Sequence, residues 1–337
     1  MSDIQTKKPS IISVSRTYLP PIEEYVKEIS RIWDSNILTN NGELVQELEG
    51  KLRDYWDVKN VVCVDHGTSA LIIALKALGI KDEVWVSPFN FIADVSAPMW
   101  LGIKPHFYEY GKKVEGPAII THLYGDANYW NYRQLPGPTI YDASHAFDLF
   151  IDGKSILSWG DVSVISFNAV KIFQTIEGGA LVTNNNELAE KARWMRNFGF
   201  RGRYDFHGVG INCKMNEFQA AMGLCSLPLV PKIRERYIEL IRRYNVLFNR
   251  QIAESVTYYP YHYKKELSLK KALLVFETNN IFPRRYFYPP LNRIFGGPEL
   301  PMAEDISSRA LALPLYYELT NAEQNLVIKI VKETDHA

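Results

Sequence analysis

Apolar and polar positions along this chain change rhythm twice. In "PPIEEYVKEISRIWDSNILTNNGELVQELEGKLRDYWDV" (20–58) the apolar residues recur at helical spacing in two pieces, and "LTNNG" (38–42) separates them as a loop. Short β-branched runs follow: "VVCV" (61–64), "EVWVS" (83–87), "PHFYE" (105–109), "AIITHLYG" (118–125), "TIYDA" (139–143), "VSVISF" (162–167) and "ALVTN" (180–184). Between the first two lies "GTSALIIALKALG" (67–79), apolar on more than one face, which predicts a buried helix ended by Gly79. Strands alternating with helices predict an α/β fold with a mostly parallel sheet flanked by helices. Some connections are short, so the later helices are expected to be trimmed. From Asn216, "NEFQAAMGLCSL" reads as a helix closed by "PLVP", and a long amphipathic helix, "KIRERYIELIRRYNVLFNRQI", comes next. Beyond Pro228 the texture is helix, a few strands, the aromatic cluster "RRYFYPP" (284–290) and a helical tail from about Asn321. These changes predict an N-terminal segment and large domain over 1–228 and a smaller α+β domain over 229–337.

Composition narrows the field by exclusion. The chain has 337 residues, of which 47% are apolar and 23% charged, with 38 basic and 38 acidic side chains. That balance gives no global attraction to nucleic acid or to an anionic membrane. No run approaches the roughly 18 apolar residues of a membrane helix, and the start "MSDIQTKKPSIISVS" lacks the apolar core of a signal peptide. Three scattered cysteines without CxxC spacing fit a reducing cytoplasmic setting, with no disulfide scaffold and no structural zinc. Seven dispersed histidines give no support to a metal site. "GVGIN" (208–212) carries two glycines of a dinucleotide motif, but Cys213 stands where the third belongs and no apolar strand leads into it. "DGKS" (152–155) ends like a phosphate loop, yet Asp148 occupies the place of the first glycine, so a hairpin turn is the better reading.

Four other pieces are consistent with one another. "DHGTSAL" (65–71) follows a strand and opens a helix; Gly67 allows close backbone approach, and Thr68 and Ser69 offer hydroxyls and N–H groups at the positive end of the helix dipole. Plain N-capping by Thr68 is the competing use. "YDASHAF" (141–147) puts Asp142 at the carboxyl end of a strand, where open α/β sheets bind ligands. An acid there can hold a cationic ring nitrogen or simply cap a helix, and His145, three residues on, either points the same way or is structural. "SPFNFIAD" (87–94) offers Phe89 and Phe91 to cover an aromatic ring, or to pack in the core. In "SFNAVKIFQTIEGGALVTNN" (166–185), Ser166 precedes the lone Lys171 by five residues. Taken alone Lys171 is a surface charge. Taken together, a phosphate cradle, an acid, an aromatic cover and a lysine are the parts of a pyridoxal phosphate site, in which the lysine forms the Schiff base and later moves a proton.

With these residues in place, the sequence resembles the sugar aminotransferases of the DegT/DnrJ/EryC1/StrS family, fold type I enzymes of aspartate-aminotransferase-like architecture. The resemblance spans nearly the whole chain, from "IWDSNILTNNGELVQELE" through the four segments above, "RNFGF" and "GINCKMNEFQAAMGL" to "RRYFYPP" and "LALPLY". It implies pyridoxal 5′-phosphate as cofactor, Lys171 as Schiff-base lysine and Asp142 as partner of the pyridinium. It further implies His145 near the phenolic oxygen, Phe91 stacked on the ring, and Thr68, Ser69 and Ser166 on the phosphate. Asn212 would reach the phosphate of a neighbouring subunit in a homodimer with shared active sites, and Arg285 and Tyr288 would touch substrate. The implied reaction moves an amino group from L-glutamate to a nucleotide-linked, dTDP-type 4-keto- or 3-keto-6-deoxyhexose, in amino-sugar supply for a surface polysaccharide such as O-antigen or lipopolysaccharide. Two other outcomes within the family are a sugar dehydratase, against which Lys171 argues because those members carry histidine there, and a non-catalytic regulator or partner subunit. Three departures stand out: Asn168 where many members have histidine, His66 where asparagine or serine is usual, and shortened regions at 108–138 and in the C-terminal domain.

Overall fold

The computed structural model describes residues 11–109, 112, 114–127 and 135–335; the shortened region at 108–138 thus lies partly outside the described residues. Seven strands build the main sheet: β1 (Asn60–Val64), β2 (Glu83–Val86), β3 (Lys104–Phe107), β4 (Ala118–Thr121), β5 (Thr139–Asp142), β6 (Val162–Ser166) and β7 (Gly179–Thr183). Their spatial order is β1-β7-β6-β5-β4-β2-β3. All neighbours run parallel except β7, which is antiparallel to both β1 and β6. Strands β1, β4, β5 and β7 are buried at every position, which is why they read as unbroken apolar runs rather than alternating ones.

The helices follow the sequence pattern closely. They are α1 (Ile22–Ser35), α2 (Glu43–Trp56), α3 (Gly67–Ala77), α4 (Ala93–Trp100), α5 (Asn186–Met195), α6 (Glu217–Ser226) and α7 (Val230–Phe248). Helix α3 packs on β6 and β7 and is buried nearly all round; Gly79, at φ +72°, turns the chain after it. The loop between α1 and α2 has a tertiary purpose. Glu217, at the start of α6, is buried and accepts hydrogen bonds from the first N–H groups of α2, Leu44 at 2.8 Å and Val45 at 3.3 Å. A Cβ at Gly42 would lie 2.5 Å from the Glu217 carboxyl carbon, so only glycine admits this cap. Nearby, Arg196 is buried against Glu49 at 2.5 Å, Asn41 Oδ1 at 2.7 Å and the Cys63 carbonyl at 2.5 Å, tying α5 to α2 and β1.

Two details differ from the pattern. The run 118–125 stops as a strand at Thr121; residues Leu123–Gly125 coil into one 3₁₀ turn, with Tyr124 and Gly125 at positive φ. At Gly125 a Cβ would meet the His145 carbonyl at 2.5 Å, so the turn is pressed against the segment after β5. "DGKS" forms the expected hairpin: Phe150–Ile151 pairs with Lys154–Ser155 through Asp152 and Gly153, both at positive φ as a two-residue turn demands.

After α6 a short 3₁₀ turn, Leu227–Leu229, leads straight into α7. The C-terminal part pairs Tyr259–His262 with Ala310–Leu313 antiparallel and carries helices at Glu266–Thr278, Pro301–Arg309 and Asn321–Asp335. The expected grouping of the whole N-terminal segment with the large domain changes in one respect. Ile12–Ser13 pairs in parallel with Ile281–Phe282, and the Val14 carbonyl accepts the Leu315 N–H, because Ile12 and Val14 find their apolar cover there. Among the described residues no helix is long and apolar enough to cross a membrane.

Candidate active site

A cavity of about 300 Å³ opens at the carboxyl ends of β4, β5 and β6, the edge where open α/β sheets bind ligands. Three backbones meet at its base. A Cβ at Gly67 would lie 2.8 Å from Ser166 Cβ, and one at Gly179 would lie 2.7 Å from Gly67 N. This close approach sets the first turn of α3 beside the Ser166 hydroxyl, with Thr68 also on the cavity wall. The N–H groups of that turn and the two hydroxyls make an anion cradle. Ser69 stands in the same turn but does not line the cavity.

Lys171 enters from the loop between β6 and β7. Phe167 N–H donates to the Gly178 carbonyl and Thr175 N–H to the Phe167 carbonyl, both at 2.9 Å, so the loop is closed at its base. Asn168 closes it further: its N–H donates to Ser166 Oγ at 3.3 Å, its amide donates to Glu177 Oε1 at 2.6 Å, and its Oδ1 accepts the Val170 N–H at 3.2 Å. The sequence marks Asn168 only as a departure; in the fold it clasps the lysine loop. Burial pushes the Lys171 amine down to about 8, against the opposing pull of Asp142. Its Nζ lies 5.8 Å from the centre of the Tyr258 ring.

Asp142 ends β5, is buried, and accepts the Ser144 N–H on Oδ1 at 2.8 Å while also lining the cavity. The Ser144 contact closes a turn rather than the helix cap that the sequence offered, and the same carboxylate faces the cavity. His145 lines the cavity too. Its Nδ1 accepts the Tyr124 N–H at 3.1 Å, so in the neutral ring the proton sits on Nε2. Burial, with the Lys171 charge adding to it, holds the imidazole well below its usual range and hence neutral. The ring lies parallel to Phe287, 6.3 Å between centres, and edge-on to Tyr258 at 5.0 Å. Of the two phenylalanines, Phe89 is core, packed on Tyr124 and Phe287, whereas Phe91 is 55% exposed at the cavity mouth.

Two residues expected at the substrate lie outside the cavity, and Asn212, expected to serve a neighbouring subunit, lies away from it as well. Arg285 stacks 3.4 Å over Tyr288 and donates to the Ser308 carbonyl at 2.9 Å; neither lines the cavity, and Tyr286 and Phe287 do so instead. The dense aromatic run identified the segment but not which rings turn inward. Asn212 is exposed, with its Oδ1 accepting from Lys214 Nζ at 2.5 Å, away from this cavity. The sequence did not single out Glu177, Tyr258, Tyr286 and Phe287 on the wall, Asn90 and Thr121 at its base, or the buried Asp94 behind them. A lone acid inside the apolar run "FNFIADVSAPMW" was the available signal for Asp94. A larger, more open groove along α7, between Tyr55, Lys232, Arg236 and Arg242, gathers no comparable set. No cluster of three metal-binding side chains occurs among the described residues.

A cradle for an anion, a flat aromatic mouth, a neutral imidazole donor, an acid and a buried amine fit a phosphorylated pyridine aldehyde. The comparisons agree with that geometry. A dTDP-4-amino-4,6-dideoxy-D-glucose transaminase of Shigella dysenteriae is 31% identical over 366 aligned residues, covering 96% of this chain and 98% of that protein. A dTDP-4-amino-4,6-dideoxy-D-glucose transaminase of Escherichia coli is 28% identical, covering 95% and 97%. The crystal structure of DesI in the presence of its TDP-sugar product shares the fold at a TM-score of 0.86 and 24% identity, over 96% of this chain and 93% of that one. The model of the DegT/DnrJ/EryC1/StrS aminotransferase family matches residues 21–114 and 137–332, and the chain belongs to that pyridoxal phosphate-dependent family.

Proposed function

We propose that the protein transfers an amino group from L-glutamate to a keto carbon of a nucleotide-linked 6-deoxyhexose, with a dTDP-linked 4-keto sugar as the favoured acceptor. The observation that carries this reading is the buried Lys171 amine sharing one cavity with Asp142, beside the cradle of α3 and Ser166. The acceptor class rests on the two transaminases named above. The presence of lysine rather than histidine favours amine transfer over dehydration.

Pyridoxal phosphate, when bound, supplies the electron sink that lets a C–H bond next to nitrogen break. The chain's residues do the rest. The first turn of α3, with Thr68 and Ser166, would hold the phosphate. Asp142 would accept the ring N–H and keep that nitrogen protonated. His145 would donate from Nε2 to the phenolic oxygen, since its other nitrogen is already occupied by Tyr124. Phe91 would cover one face of the ring. Lys171 Nζ would bind the aldehyde covalently. Once displaced, it would take the proton from the α-carbon of glutamate, and in the reverse direction return one to the sugar carbon that receives the amine. Its lowered proton affinity suits a group that must act as a base near neutral pH.

A homodimer completes the proposal. Trp33, Ile37 and Leu38 near the end of α1, and Phe198, Tyr204, Phe206 and Val209 on the segment before Asn212, are exposed apolar side chains. Exposed apolar side chains of this number and size fit a partner copy, which would bring its Asn212 towards the phosphate. A soluble cytoplasmic enzyme feeding surface-polysaccharide synthesis is the setting this reading favours. Incubation of the loaded protein with L-glutamate and dTDP-, UDP- and GDP-linked keto sugars, read by mass, tests it. Amination of a dTDP-4-keto sugar is expected; no amination of any member of the panel would overturn the reading.

A further inference from the structure

At the base of the cavity, which Asn90 and Thr121 line, these two side chains pack on a third, Asp94 of α4, at 0% exposure. Their hydrogen atoms can be assigned. The Phe91 N–H donates to Asn90 Oδ1 at 2.7 Å, which leaves the Asn90 amide nitrogen to point at the acid. That nitrogen donates to both Asp94 Oδ2 and Thr121 Oγ1. Thr121, having accepted one hydrogen bond, donates its own hydrogen to Asp94 Oδ2 at 2.8 Å. The two donors that reach Asp94, the Asn90 amide and the Thr121 hydroxyl, therefore meet on one of its oxygens. The other oxygen, Oδ1, is buried and receives none. Asp94 lies within hydrogen-bonding reach of the Asp142 carboxyl, and Asp142 stands in register with Thr121 across β4 and β5.

Two buried carboxyls in contact cannot both be anions. A buried oxygen without a donor is costly as well. One proton between the two acids removes both problems, and the surroundings decide which acid holds it. Asp142 accepts the Ser144 N–H, opens onto the cavity and has the Lys171 amine as countercharge. Asp94 has the neutral Asn90 and Thr121 as its other partners. It does not cap α4 either, since Ile92 is the N-cap there and no side chain serves the helix start. Burial and the Asp142 charge both push the Asp94 carboxyl well above its ordinary range. The remaining titratable groups facing this pair from the cavity side are Lys171 and, beyond it, His145, which is neutral.

We infer that Asp94 is a neutral carboxylic acid whose hydroxyl donates to Asp142, making Asp94 a positioning residue that keeps Asp142 anionic for the ring nitrogen. The inference rests on the reading of Asp142 as partner of that nitrogen. A donated hydrogen bond favours the charged form of the group that accepts it. The pair thus carries one negative charge, matched by one cation at Lys171 or at the ring.

Two measurements test this. The first is the infrared spectrum of the apoprotein at pH 7 in the protonated-carboxyl region. A band is expected in wild type and is lost in Asp94→Asn, which keeps the shape and can donate an N–H where the acid donated its O–H. The variant is needed because burial also raises the Glu217 carboxyl. Absence of such a band, or a band unchanged in Asp94→Asn, overturns the inference without touching the cofactor assignment. The second is the pH dependence of pyridoxamine 5′-phosphate binding to the apoprotein. Loss of a hydrogen bond to a charged group moves the acid limb of affinity upward by about 1 pH unit in Asp94→Ala, whereas Asp94→Asn stays at the wild-type position. Equal limbs in all three proteins overturn the positioning role. An Asp142→Asn protein that binds pyridoxamine 5′-phosphate as wild type does would instead overturn the reading of Asp142 itself.

Discussion

Two regions of this molecule bury acids, and they do so in opposite ways. Behind α2, Glu217 meets backbone N–H groups and Glu49 meets the Arg196 guanidinium and the Cys63 N–H. Beneath the cavity, Asp94 and Asp142 meet each other. The first arrangement supplies each carboxylate with donors and joins α2, α5, α6 and β1. The second leaves a like-charge contact that one proton must resolve, with the Lys171 amine on the same cavity. A satisfied buried acid is structural; an acid left short of donors is available to a ligand.

Four substitutions separate the two regions, taken from the largest expected effect to the smallest. Lys171→Ala should cut transamination by at least ~10³-fold, the scale of a lost acid–base group, with unfolding by denaturant no easier than in wild type. Retention of wild-type turnover would remove Lys171 from the chemistry. Arg196→Ala should behave in the reverse sense. It strands Glu49 in the core, costing about 3–5 kcal/mol of stability, and any loss of turnover should track the unfolded fraction in urea titrations. Lys171→Met should stabilise the apoprotein at neutral pH by about 3 kcal/mol, because its amine falls from 10.5 to about 8 on folding. The sign follows from proton counting: the folded chain binds fewer protons than the unfolded one between those two values. The wild-type penalty is thus full below pH 8 and fades as pH rises to 10.5. Melting curves of both proteins at pH 7 and pH 10.5 check this, and a gap that does not narrow would contradict it. Glu217→Gln should cost about 1–3 kcal/mol, since an amide oxygen replaces one acceptor of the α2 cap and its NH₂ faces donors; an unchanged urea midpoint would show that the cap is dispensable.

The sequence exposed the fold through its rhythm. Each of the seven β-branched runs became a strand of one sheet, because strands buried on both faces show uninterrupted apolar runs. Lys171, Asp142, Thr68 and Ser166 were legible because each follows or precedes such a run, so strand ends located them. What stayed hidden depended on contacts between distant segments. Glu217 reads as one more acid at a helix start until α2 is packed on it. Tyr258 lines the cavity from a segment with no motif. In the segment 284–290, Tyr286 and Phe287 line the cavity while Arg285 stacks on Tyr288 outside it, and a run of aromatic and basic residues does not reveal which side chains turn inward. The strand Ile12–Ser13 is too short to show a period, so its crossing to Ile281–Phe282 was not visible.

The clasp formed by Asn168 has a kinetic meaning. A loop closed at its base by Phe167, Gly178 and Thr175, and again by Asn168 and Glu177, is held by hydrogen bonds of its own, none of which needs a ligand. On the proposed reading, cofactor capture would require little loop ordering, and its entropic cost would fall on the small molecule and on the four methylenes of one side chain. Entry would then pass the aromatic side chains Phe91, Tyr286 and Phe287 that line the cavity.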